Sequence, residues 1–135
     1  MNTTYFLDQV AGNVFNTKTT PALPTAYYLG LSTTEPTADG TNVTEPQTDA
    51  GYARVQLTNL GEPVDGKVKN TDTVRFNKST ESWGTVTHYV VYDTQEAGSG
   101  NLLMYGELKT SRNVEPDTVI VIEKDALELT VRNPA

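Results

Sequence analysis

The stretch that decides the fold is Tyr27 to Val55, YYLGLSTTEPTADGTNVTEPQTDAGYARV. It opens with alternation: Tyr27, Leu29 and Leu31 on one side, and Tyr28, Gly30 and Ser32 on the other. That two-residue period is the mark of a strand. A run rich in Thr, Pro and acidic residues, Thr33 to Ala50, follows as a long loop. A second strand begins at Gly51-Tyr52-Ala53-Arg54-Val55. There Ala53, Val55 and Leu57 are expected to face a core, with Arg54, Gln56 and Thr58 facing solvent. Strand, long loop and strand together predict an all-β surface module. Loops longer than about 12 residues are uncommon and often functional.

Upstream of this stretch lies the one candidate helix, over residues 3 to 16. Phe6 or Leu7, Val10 and Val14 recur at helical spacing, and Thr3 or Thr4 offers an oxygen to cap the first turn. Asn16, Thr17, Lys18, Pro21 and Pro24 are its stop signals. Downstream, strands are predicted at Lys67 to Lys69, Thr73 to Phe76, Gly84 to Asp93, Asn101 to Leu108, Thr118 to Glu123 and over Leu127, Leu129 and Val131. Asp65-Gly66, Gly98-Ser99-Gly100 and Pro116-Asp117 supply the turns. Gly84 to Asp93 carries large side chains on both faces, which predicts a central strand. The expected fold is a single antiparallel β-sandwich of jelly-roll or Ig-like type. It has about seven or eight strands and is preceded by one short amphipathic helix. Residues 1–17 are expected to form the helix and 18–135 the sandwich, as one domain overall.

Composition narrows the function. The chain has 135 residues, enough for a core without staples, and no cysteine, so disulfide and thiol chemistry are excluded. A net charge of −7 makes nucleic acid and anionic membrane poor partners. Apolar runs are strand length, so no membrane insertion is expected. Met1 to Thr4 lack a basic segment, so no secretory signal is expected either.

No motif for chemistry emerges. His88, the single histidine, reads as a packed strand residue, since it has no companion ligands at metal spacing. No Ser lies in a nucleophile elbow. Asp39, Asn42 and Glu45 offer oxygens over a short span but lack calcium-loop spacing. The acidic residues of the long loop read as solvated, and the tyrosines and Trp83 as core and sheet-face packing. No metal, cofactor or catalytic residue is expected.

Several separated blocks, taken in order, carry a resemblance. An amphipathic helix precedes YYLGLSTTEPTADGTNVTEP (Tyr27 to Pro46). GYARV (Gly51 to Val55), SWGTVTHYVVYD (Ser82 to Asp93), GNLLMYGEL (Gly100 to Leu108) and a last alternating strand follow. This series resembles small structural proteins of tailed bacteriophages, of the tail-fibre-like or minor tail type. The resemblance implies a virion component assembled inside the host, and it transfers no catalytic residues.

The expected role is therefore a multi-copy structural module on the virion exterior, at the tail fibre or tail tip, touching other virion proteins. Phe6, Leu7, Val10 and Val14 are the expected assembly contacts. Glu35, Asp39, Asn42 and Glu45 are the expected contacts of an exposed loop with a host-surface receptor. The alternatives are a capsid decoration protein gripping the major capsid lattice, and a carbohydrate-binding or glycan-degrading domain. Removing residues 1 to 17 is expected to leave a folded sandwich that fails to join particles.

Overall fold

The computed structural model describes residues 1–17 and 22–131. One helix, α1 (Thr4–Val14), precedes eight strands. These are β1 (Tyr28–Ser32), β2 (Val55–Gln56), β3 (Lys67–Lys69), β4 (Val74–Arg75), β5 (Gly84–Tyr92), β6 (Leu102–Val114), β7 (Val121–Ile122) and β8 (Glu128–Thr130). The all-β fold with one leading helix is as expected. The stop signals at Lys18 and Pro21, and Arg132 of the last strand, lie outside the described residues.

The main layer is a four-stranded sheet in the order β2-β1-β5-β6. All of its pairs are antiparallel, with Leu29 opposite Val91 and Leu31 opposite Tyr89 across β1 and β5. Two short antiparallel ribbons, β3-β8 and β4-β7, provide the rest. The chain breaks this part into ribbons because Asp65-Gly66, Asp117 and Asp125 turn it through left-handed backbone before a strand can lengthen. Leu29, Leu31, Val86, Leu103 and Val114 of the sheet form one core with Val74, Phe76, Ile120, Leu127 and Leu129 of the ribbon regions. Val131, expected to face inward, is 44% exposed.

The helix belongs to this core. Thr3 caps it, its hydroxyl accepting from the Phe6 amide at 3.2 Å and donating to the Leu102 carbonyl at 2.7 Å. Residues before it continue the sheet. The Thr3 amide donates to Leu103 O and the Tyr105 amide to Met1 O, both at 2.9 Å. This covers the start of β6, which would otherwise be an open edge. Phe6 is 3% exposed and sits in the main core. Leu7 is half-buried, and Val10 is half-buried against the core. Val14 and Phe15 are 68% and 77% exposed. The stripe drawn through Phe6, Leu7, Val10 and Val14 is therefore corrected. The buried face runs through Phe6, Gln9 and Gly12, leaving Val14 as the exposed member of the four.

Strand β5 is central and buried on both faces. Tyr89 and Val91 pack with the main core. Val90 and Tyr92 form a second small cluster on the outer face with Leu102 and Tyr105. The cover over that face is Val43, from the long loop between β1 and β2.

Candidate functional site

Loop 33–50 is a laced hairpin folded over the outer face of the sheet. Its two arms are tied by the Thr33 amide to Thr44 O at 2.9 Å and by the Thr34 hydroxyl to Asn42 O at 2.7 Å. At the base, the Ser32 hydroxyl accepts from the amides of Thr34 and Thr44. At the tip, the Thr37 amide donates to Thr41 O at 3.0 Å. The hydroxyls of Thr37 and Thr41 both donate to the Asp39 carboxylate, which holds its pKa below the usual carboxylate value. Thr recurs here because a short hydroxyl can close such local bonds while the backbone turns.

Beneath the hairpin lies a buried charge cluster. The Arg54 guanidinium binds the Glu45 carboxylate with both prongs, Nε to Oε2 at 3.0 Å and Nη2 to Oε1 at 2.6 Å. Its Nη1 donates to the carbonyls of Thr94 and Ser99, both at 2.9 Å. The guanidinium carbon lies 3.6 Å from the centre of the Tyr92 ring, a cation–π contact. On the other side of Glu45, the Tyr52 hydroxyl donates to Oε2 at 2.5 Å and accepts from the Leu31 amide at 3.0 Å. The Gly98 amide also reaches Glu45 Oε1 at 3.3 Å. One ion pair thus joins the hairpin, β1 and the β5–β6 turn. Behind it, Tyr52 packs edge-on to Trp83 at 5.4 Å, and Trp83 donates its indole N–H to Ala50 O at 2.9 Å.

Gly30 makes room for this cluster. A Cβ there would fall 2.5 Å from the Tyr52 oxygen and 3.0 Å from both Glu45 Oε2 and a Val90 methyl. Gly30→Ala is expected to cost about 1–3 kcal/mol through overpacking. Urea denaturation checks this, and an unchanged midpoint would show that the site is looser than the packing implies.

Burial also shifts the tyrosines. Tyr52, Tyr89 and Tyr92 are each raised above the ordinary 10.0, first by desolvation. For Tyr52 and Tyr92 the second cause is the charge of Glu45. The unfolded chain ionises its phenols near 10, while the folded chain keeps these protonated. Above that pH the folded state binds more protons, so stability falls as pH rises and is fully present below it. A thermal melt repeated across the alkaline range should show a drop setting in near pH 10, one that Tyr52→Phe makes shallower.

The expected loop contacts divide. Glu35, Asp39 and Asn42 are exposed. The Asn42 amide donates to Glu35 O at 2.8 Å, and the Glu35 carboxylate lies 3.9 Å from His88 Nε2. Glu45 is a correction. Its side chain is 8% exposed and serves as a buried anchor. Arg54 is the matching correction, expected in solvent but 2% exposed. The outer face of the sheet is roofed by the hairpin, so a residue pointing outward still points into protein. Nothing in the local pattern around Arg54 reveals this. The signal available is weaker: Arg54 is the single basic residue between Tyr27 and Val55 and stands close behind Tyr52, at the end of the loop that carries Glu35, Asp39, Glu45 and Asp49. His88, 9% exposed, sits in β5 with Nδ1 2.8 Å from the Thr87 hydroxyl. Among the described residues, no group of three His, Asp or Glu is placed to hold a metal ion.

A cross-braced β-framework that fixes one surface loop defines the class as a structural β-module. No curated protein matches the chain. A family described as Podophage GP4 fiber I protein gp80 matches residues 2–130, and the chain belongs to that family. It is therefore a phage fibre protein and a component of the virion, as the resemblance implied.

Proposed function

We propose that this chain is a non-enzymatic structural module on the exterior of a tailed phage, in the tail fibre or tail tip, and that hairpin 33–50 faces outward to the host surface. The observation that carries this reading is the fibre-family match over residues 2–130. The same match favours the fibre over head decoration. The hairpin suits an outward role because its backbone is laced and its base is clamped by Glu45 and Arg54, so little ordering entropy is lost on contact. Glu45, bonded to Arg54, Tyr52 and Gly98, is a poor half of a catalytic carboxylate pair, which counts against glycan hydrolysis. Val14 and Phe15, exposed at the end of α1, are the surface offered to neighbouring virion proteins or further copies.

Particles carrying a labelled copy of this chain should be imaged. Label confined to the fibres or tail tip, at low copy number, is the expected result. Label spread over the head lattice would overturn the reading. Phe15→Ser should reduce incorporation into particles while leaving the melting temperature of the free protein unchanged.

A further inference from the structure

We infer that the cleft between hairpin 33–50 and the β5–β6 turn is a binding site for a neutral saccharide. This rests on the reading of the hairpin as host-facing and names the chemistry it would meet. The cleft has a volume of about 520 Å³, bordered by Asn42 and Gln47 of the hairpin, Tyr92 and Leu102 of the sheet, and Gly98 and Gly100 of the turn. That size is typical of a small-ligand site, roughly 300–1,000 Å³.

Three of its polar side chains, Tyr92, Gln47 and Asn42, keep hydrogen-bonding capacity that the fold does not use. Tyr92 is 8% exposed, its ring is held by Arg54, and its hydroxyl makes no hydrogen bond to any described residue. That hydroxyl is not among the polar atoms sealed from solvent. Gln47 stands at the start of the 3-10 turn Thr48–Ala50 without using its side chain as a cap. Asn42 spends its amide N–H on Glu35 O, leaving its Oδ1 as an acceptor.

Charge and polarity then select the ligand. The nearest described cation, Arg54, is consumed by Glu45, Thr94 and Ser99, and among the described residues no other basic side chain borders the cleft. Glu45 lines it, and Asp39, Asp93 and Glu96 lie on the segments that flank it, so an anion meets only like charge. An apolar ligand would strip water from the Tyr92, Asn42 and Gln47 groups without replacing their bonds. A neutral polyol both donates and accepts, which matches a phenol and two amides. The clamped walls reduce the ordering needed for such a weak polar ligand to bind.

The test is a chemical-shift titration of the full chain with glucose, galactose, maltose and lactose, with glucuronate as the anionic control. The expected result is saturable shifts confined to residues 40–48, 92 and 98–100 with at least one neutral sugar, and weaker binding of glucuronate. Tyr92→Phe keeps the ring over Arg54 and removes only the hydroxyl, so affinity should fall about five- to tenfold with an unchanged melting temperature. Gln47→Ala, on an exposed residue, supplies the same comparison if Tyr92→Phe disturbs the fold. Absence of shifts at this end with every neutral sugar, or wild-type affinity in both variants, would overturn the proposal. Failure of the site and failure of the host-facing reading are separable. Sugar binding by a protein that labels the head keeps the site and removes the host-facing role. Fibre label without sugar binding does the opposite.

Discussion

Arg54→Ala is expected to lower stability by about 3–5 kcal/mol, the range for removing one partner of a buried ion pair. The side chains of Arg54 and Glu45 are 0% and 8% exposed, so solvent screening relieves little of the loss. The change strands a buried carboxylate, frees the carbonyls of Thr94 and Ser99, and removes the cation stacked on Tyr92. Urea denaturation measures the loss. Hydrogen exchange should show hairpin 33–50 opening before the rest of the sheet, because the ion pair is its main tie to β2 and the β5–β6 turn. The double variant Glu45→Leu with Arg54→Met leaves no unpaired charge and should recover part of the stability. If Arg54→Ala melts with the wild type, the cluster does not anchor the hairpin, and the case for a clamped outward loop goes with it.

Phe6→Ala should cost about 3–5 kcal/mol, the range for emptying a buried phenylalanine site. Phe6 is 3% exposed and packs in the same core as Leu29, Leu103 and Phe76. Removing residues 1–17 should be worse. It takes away Phe6 and also the backbone bonds that Met1 and Thr3 make along β6, exposing that edge to pairing with other chains. The truncated protein is expected to aggregate on purification. This replaces the expectation of a folded sandwich that merely fails to assemble. A soluble, cooperatively folding truncation would show that the helix is an appendage.

Much of the architecture was legible in residue order. The helix cap at Thr3, the strand at Lys67–Lys69, the long central strand and the turn at Gly98-Ser99-Gly100 all follow from local pattern, and each stands where it was expected. Local readings fail where two distant segments meet. Alternation in GYARV sends Arg54 outward, correctly for a sheet with one wet face. Here that face is roofed by Val43 and its hairpin, so outward becomes buried. Glu45 misleads in the same way, because an acidic residue among Thr and Pro reads as solvated until its partner is known.

The order of residues alone determined an all-β chain with a leading helix, without thiol chemistry, and with a long Thr-rich excursion between its first two strands. These are matters of period, composition and turn chemistry, which act over a few residues. Only the folded chain decided that the excursion closes over the sheet, that Phe6 faces inward while Val14 does not, and that Glu45 and Arg54 find each other. Those outcomes depend on which surfaces must leave water together, and burial is a property of the whole packed chain.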